Sequence, residues 1–269
     1  MARIDLDDLT DPRLDPYRSL KQTNETARRG MFIAEGDKLT RRLLDSGLQV
    51  DSVLLGRSYV ETFASLLPRE LPAYVIPDEL VDTLVGFNFH RGILACGRRP
   101  MPSPTLSDVF AATTNEPLTI VVCPDVQDPE NLGAIIRLAA GFGVAAIVLG
   151  PKCADPFSRR VQRVSMATVY GLPIVPCRDV SAALGELRTQ YGIESWATVL
   201  ADDAAVLGTI ARPSRLALVF GSEGHGLQPD VVAACDRKLT IPMHGDVDSL
   251  NVAVAAGIFL HHCSRPQQH

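Results

Sequence analysis

Short apolar runs alternate with stretches of helical periodicity along most of the chain. In the first hundred residues, Met31 to Ala34, Val50 to Leu55, Ala73 to Ile76 and Gly92 to Cys96 read as strands. Between them Asp37 to Ser46, Tyr59 to Leu67 and Pro77 to Val85 carry helical patterns. This order predicts a small α/β domain over residues 1–100. Proline and small polar residues then crowd the span from Arg98 to Pro117, which reads as a linker over 101–117. Beyond it lie six β-branched or apolar runs: Leu118 to Cys123, Ala145 to Leu149, Pro173 to Val175, Trp196 to Leu200, Leu216 to Phe220 and Lys238 to Ile241. Helical patterns separate most of them, so residues 118–269 predict a parallel sheet covered on both faces.

Several junctions carry sharper signals. Asp128 suits the N-cap of the first helix in this second domain, Pro129 its first helical position, and Glu130 the positive end of its dipole. Gly141 and Gly143 fit its C-terminal stop. Two later strands run directly into polar, glycine-rich turns, Gly221-Ser-Glu-Gly-His-Gly226 and Ile241-Pro-Met-His-Gly-Asp-Val-Asp-Ser-Leu-Asn251. Buried strands that stop at glycines expose backbone donors and acceptors at the carboxyl edge of a sheet, where α/β proteins bind ligands. Ser249 is positioned to cap the helix Val252 to Cys263, which is apolar on nearly all sides and therefore deeply buried or packed on a partner chain.

Composition narrows the classes. The chain has 269 residues, 46% of them hydrophobic and 21% charged, with no basic, apolar leader at its start and no apolar run long enough for a membrane span. The six cysteines are widely spaced and read as reduced thiols of a cytoplasmic protein. Neither they nor His90, His225, His244, His261, His262 and His269 show metal-ligand spacing, so no metal is expected. The net charge of −5 excludes a uniformly basic nucleic-acid grip but not a local one. Residues 18–42 hold a surplus of four cations, including Arg28, Arg29, Arg41 and Arg42, and a second group comprises Lys152, Arg159, Arg160 and Arg163. Either can contact phosphate; a solvated face reads equally well.

A dinucleotide-binding oxidoreductase competes for any parallel α/β sheet. Its glycine fingerprint belongs between the first strand and the next helix, where this chain has Asp125-Val-Gln-Asp-Pro-Glu-Asn-Leu-Gly133. Gly141-Phe-Gly143 stands at a helix end, where it cannot cradle a pyrophosphate. Among polar candidates, Asn131 falls in the first turn of its helix, and Arg137 lies about 240° further round at about 100° per residue. Glu223, flanked by glycines after a strand, can bond backbone donors, orient an arginine or act as a general base.

Asp128-Pro-Glu-Asn-Leu-Gly-Ala-Ile-Ile-Arg137 and the two glycine-rich turns, in this order, resemble the three motifs of the SpoU (TrmH-type) family of RNA ribose 2'-O-methyltransferases within the SPOUT superfamily. Phe32-Ile-Ala-Glu-Gly36 and Gly92-Ile-Leu-Ala95 resemble the substrate-binding domain often found ahead of it. The resemblance implies an α/β SPOUT domain with a trefoil knot, preceded by a smaller α/β RNA-binding domain. It implies methyl transfer from S-adenosylmethionine to a ribose 2'-hydroxyl of structured RNA, ribosomal RNA ahead of transfer RNA, by a homodimer. Asn131, Arg137, Glu223, Ser249 and Asn251 match the family's catalytic and site-forming positions. Gly221, Ile241 and Leu250 match cofactor contacts, with Ser222 and Met243 beside them. Ser222 departs from the commoner Asn or Ala, and Ala253 from Ser. A guanidinium stays protonated, so Arg137 is expected to act as a cation on the hydroxyl or adjacent phosphate, with Glu223 orienting it or the loop. The alternative is an RNA-binding protein of the same fold that has lost catalysis.

Overall fold

In the computed structural model, which describes residues 1–20, 25–89, 92–113, 117–243 and 249–264, the chain divides into two units. Lys21, His90, His244, His269 and the middle of the last motif lie outside the described residues. The first unit comprises Met1–Pro102 together with Phe157–Tyr170. Its elements are β1 (Ala2–Asp5), α1 (Glu25–Arg28), β2 (Met31–Glu35), α2 (Asp37–Asp45), β3 (Val50–Gly56), α3 (Val60–Phe63), β4 (Pro72–Ile76), α4 (Asp78–Val85) and β5 (Ile93–Arg98). They form a mixed sheet in the order β1-β4-β3-β5-β2, parallel between β1, β4 and β3 and antiparallel where β5 meets β3 and β2. Phe32 lies opposite Gly97, and a Cβ at Gly97 would meet its ring at 2.5 Å, so the ring covers the strand where no side chain stands. β1 escaped the apolar pattern because it is an edge strand with largely exposed side chains.

The second unit comprises Ser103–Pro156 and Gly171–His269. Along this half of the chain come α5 (Leu106–Ala112), β6 (Leu118–Cys123), α6 (Pro129–Gly141), β7 (Ala146–Leu149), α7 (Arg159–Val164), β8 (Ile174–Pro176), α8 (Val180–Tyr191), β9 (Glu194–Thr198), β10 (Ala205–Val206), β11 (Arg215–Val219), α9 (Pro229–Ala234), β12 (Arg237–Thr240) and α10 (Val252–Cys263). All of these except α7 belong to the second unit. The seven strands are parallel, in the order β10-β12-β9-β11-β6-β7-β8. One face packs Ile120, Val122, Ala217 and Val219 against Leu106 and Val109 of α5 and Leu184 and Leu187 of α8. Alternation along the strands turns Phe220 to the other face, where its ring lies 6.0 Å from Phe259 of α10.

Two segments differ from the sequence reading. The span 101–117 contains α5, begun by a capping box in which Thr105 and Asp108 bond each other's backbone N–H. That signal was present as Thr-Leu-Ser-Asp, but the surrounding prolines outweighed it. Residues 157–170, which follow β7, group with the first unit. There the buried Glu35 carboxylate accepts from Arg159 Nη2 at 2.8 Å and Nε at 3.1 Å, and Arg159 lies 4.0 Å from the centre of the Phe87 ring. Gln162, wholly buried, donates to Ile33 O and Phe157 O and accepts from Tyr170 Oη. Phe32 stacks with Tyr170 and meets Phe157 in a tilted contact with ring centres 5.0 Å apart. Buried polar side chains at this density persist only with their partners supplied, and here they are.

Candidate active site

The loops that follow β6, β7, β11 and β12 all leave the carboxyl edge of the parallel sheet, and most of the polar candidates lie on them. Asp128 caps α6 by accepting from Glu130 N at 2.6 Å, which sets Asn131 in the first turn. After β11, a Cβ on Gly221 would lie 2.3 Å from Gly226 C, so the chain returns on itself against bare backbone. Ser222 and Gly226 close that return through two backbone bonds of 3.1 Å each, and Gly224 and Gly226 adopt the positive φ such a turn needs. Glu223 stands exposed at the tip.

Asn251, not Ser249, is the N-cap of α10. Its Oδ1 accepts from Ala253 N at 2.9 Å and Val254 N at 3.2 Å. Its Nδ2 donates to Asn131 Oδ1 at 2.9 Å and Glu223 Oε1 at 2.7 Å. Three motifs that are 28 to 120 residues apart in sequence thus meet at one amide. They border a polar cleft of about 500 Å³ lined by Asp125, Gln127, Asn131, Lys152, Glu223 and His225, among others.

One wall of this cleft is bolted by sulfur. Cys153 Sγ–H donates to Cys123 O at 3.0 Å, and Sγ accepts from Val126 N at 3.3 Å. Burial pushes the Cys153 thiol up to about 11, which keeps the proton that this bond requires. Ala154 N also bonds Val126 O, and a Cβ on Gly150 would meet Pro124 O at 2.2 Å, so the loops after β6 and β7 touch through backbone.

The proposed cofactor positions gather nearby. Register pairs Leu239 with Thr198 and Val219 with Ala197. Two residues further on, Ile241, Leu200 and Gly221 therefore share the carboxyl edge. Leu200 is 63% exposed, Ile241 and Met243 are half-buried, and Leu250 is half-buried just ahead of Asn251. Apolar side chains beside bare backbone suit a purine nucleoside, whose flat faces are apolar and whose rim needs donors and acceptors. Leu200 and Gln127 are additions from the structure to the sequence candidates for the site, and Lys152, read in the sequence as one of a group of possible phosphate contacts, lines the cleft. Leu200 was visible only as the end of a strand.

Two candidates stand apart. Arg137 is exposed, does not line the cleft and makes no hydrogen bond or ion pair among the described residues. Glu223 is bonded to Asn251 and not to Arg137. Ser249 is exposed. Of the cations read as phosphate contacts, Arg159 is held by Glu35, Arg41 by Asp37 at 2.7 Å, and Arg42 donates to Met166 O. Among the described residues no group of three His, Cys, Asp or Glu is placed to hold a metal ion, and no helix is long and apolar enough to cross a membrane.

Loops and helix starts assembled at the carboxyl edge of a parallel sheet lie where α/β proteins bind their ligands. Residues 118–261 match the SpoU rRNA Methylase family, and the chain belongs to it. It is 35% identical over 98% of its length to an uncharacterized tRNA/rRNA methyltransferase of Mycobacterium bovis, covering 93% of that protein. It is 28% identical to the 23S rRNA guanosine 2'-O-methyltransferase RlmP of Bacillus subtilis, over 93% of this chain and 95% of that one. Among solved structures, the AdoMet-bound rRNA methyltransferase from Sinorhizobium meliloti superposes with a TM-score of 0.80 at 26% identity, covering 97% of both chains.

Proposed function

We propose that the protein transfers a methyl group from S-adenosylmethionine to a ribose 2'-hydroxyl of structured RNA, ribosomal RNA ahead of transfer RNA, in the cytoplasm. The observation that carries this reading is the meeting of Asn131, Glu223 and Asn251 beside a cleft, next to an edge suited to a nucleoside. The RlmP relative, named for 2'-O-methylation of 23S rRNA, and the AdoMet-bound neighbour support it. When bound, S-adenosylmethionine supplies a methyl group already activated by its sulfonium. The protein's task is then to hold the hydroxyl in line and to manage its proton.

Gly221, Ser222, Ile241, Met243 and Leu250 form the cofactor side of the site, and Asn131, Glu223, Ser249 and Asn251 the ribose side. Arg137 acts as a permanent cation that stabilises the developing alkoxide. Because it is exposed and does not line its own cleft, we place it at a homodimer contact along α6 and α10, from which it reaches the partner's site. Exposed Val254 and Ile258, four residues apart on α10, support that contact. Asn251, beyond β12, bonds back to loops after β11 and β6, which supports a trefoil knot in this region. The first unit would choose the RNA, with exposed Arg28 among its phosphate contacts.

The test is transfer of labelled methyl from S-adenosylmethionine to unmodified total RNA, followed by alkaline hydrolysis, with wild type and Arg137→Ala in parallel. Label in alkali-resistant dinucleotides, reduced about 100-fold or more in the variant, is expected. Bound cofactor and RNA without any transfer would favour the catalytically silent RNA-binding protein.

A further inference from the structure

We infer that Asn131 and Glu223 together form a seat for a single hydroxyl group, Asn131 donating to its oxygen and Glu223 accepting, and finally taking, its proton. The inference rests on the methyltransfer reading above and assigns the proton acceptor that reading leaves open.

The orientation of every amide in the trio is fixed from the helix inward. Two backbone N–H groups of α10 bond Asn251 Oδ1, so its Nδ2 must be the donating end. The two hydrogens of that Nδ2 go to Glu223 Oε1 and Asn131 Oδ1. Asn131 therefore presents its own Nδ2 elsewhere. That residue is 8% exposed and lines the cleft, and its Nδ2 has no partner among the described residues. A donor without a protein partner that opens on a cleft is available to a ligand or to water. Glu223, bonded through Oε1, retains Oε2 as a pure acceptor.

One donor and one acceptor lining the same cleft, their residues tied to the same Asn251 amide, select the ligand chemistry. A phosphate oxygen or carbonyl can accept from Asn131 but offers nothing to Glu223. An amino group satisfies Glu223 but not Asn131. A hydroxyl satisfies both at once, and the ribose 2'-hydroxyl is the feature that separates RNA from DNA. In the reaction the O–H bond breaks with its proton passing to the Glu223 carboxylate. The oxygen lone pair forms the new bond to the methyl carbon, and the carbon–sulfur bond breaks with its electron pair left on sulfur as a thioether. Arg137 need not lose a proton.

Glu223→Gln separates chemistry from architecture, because a glutamine oxygen still accepts from Asn251 but takes no proton. We expect it to bind S-adenosylmethionine within about twofold of wild type while methyl transfer falls about 10²- to 10⁴-fold. A second measurement needs no turnover. With the RNA fragment that carries the nucleotide mapped by the labelling experiment, wild type is expected to prefer the 2'-hydroxyl over the 2'-deoxy form by about tenfold. Glu223→Ala and Asn131→Ala should each erase most of that preference. Glu223→Gln turning over at the wild-type rate, or Ala variants that still discriminate, would overturn the seat and leave the methyltransferase reading standing. Wild type inert toward every RNA would remove both.

Discussion

Glycine is required at Gly221 by close approach of the returning chain and not by a left-handed backbone. Its Cβ would lie 2.3 Å from Gly226 C and 2.5 Å from Leu227 N, both backbone atoms that cannot step aside. Gly221→Ala is therefore expected to lower the unfolding free energy by about 1–3 kcal/mol and to weaken cofactor binding. Denaturant midpoints and a cofactor titration check this. Gly141, at the end of α6, has nothing within 4 Å of a Cβ. Gly141→Ala is the matched control, neutral or stabilising by a few tenths to about 1 kcal/mol. Sequence could point to Gly221 because it ends a buried strand. It could not rank it above Gly141, since only the returning chain at Gly226 makes the difference.

Capping ties stability to chemistry at the start of α10. The segment Ser249-Leu-Asn251 offered two cap residues, and local preference scarcely separates Ser from Asn. The structure selects Asn251 because its amide has a second end, which Asn131 and Glu223 hold. Asn251→Ala is expected to cost about 1 kcal/mol of stability and nearly all methyl transfer. Asn251→Asp keeps an acceptor for Ala253 N and Val254 N, so its melting temperature should stay near wild type. It sets a carboxylate against Glu223 and removes the donor to Asn131, so transfer should still fall. Two variants with different stability and the same loss of rate would show that the amide's free end, and not the cap, serves the site. The capping box of α5 was likewise written in the sequence but lay within proline-rich surroundings that masked it.

Across the whole molecule, α10 is unusual in leaving Val254 52% and Ile258 39% exposed while Ala253, Ala256, Phe259 and Leu260 are buried. If that strip joins two copies, replacing Val254 and Ile258 together by Asp should convert dimer to monomer in light scattering or sedimentation. Methyl transfer should be lost with it, because Arg137 would no longer reach a partner's cleft. A variant that stays dimeric and active would exclude this contact. The segment 157–170 is a second large-scale feature. Its place in the first unit follows from Glu35 with Arg159 and from Gln162 with Ile33, pairs more than 120 residues apart.

Sequence alone determined what depends on neighbours along the chain. The alternating apolar runs gave six of the seven parallel strands, and Asp128-Pro-Glu announced the start of α6. The order of three motifs pointed to the SpoU family. These signals are local because burial of a strand and capping of a helix are read within a few residues. Tertiary structure decided what depends on closing long loops. It set which cap residue α10 uses, where residues 157–170 settle and which way each amide points. It also placed Arg137 outside the cleft that Asn131 and Glu223 share. Such contacts are chosen by the satisfaction of buried polar groups against distant partners, and a linear pattern carries no record of which partners those are.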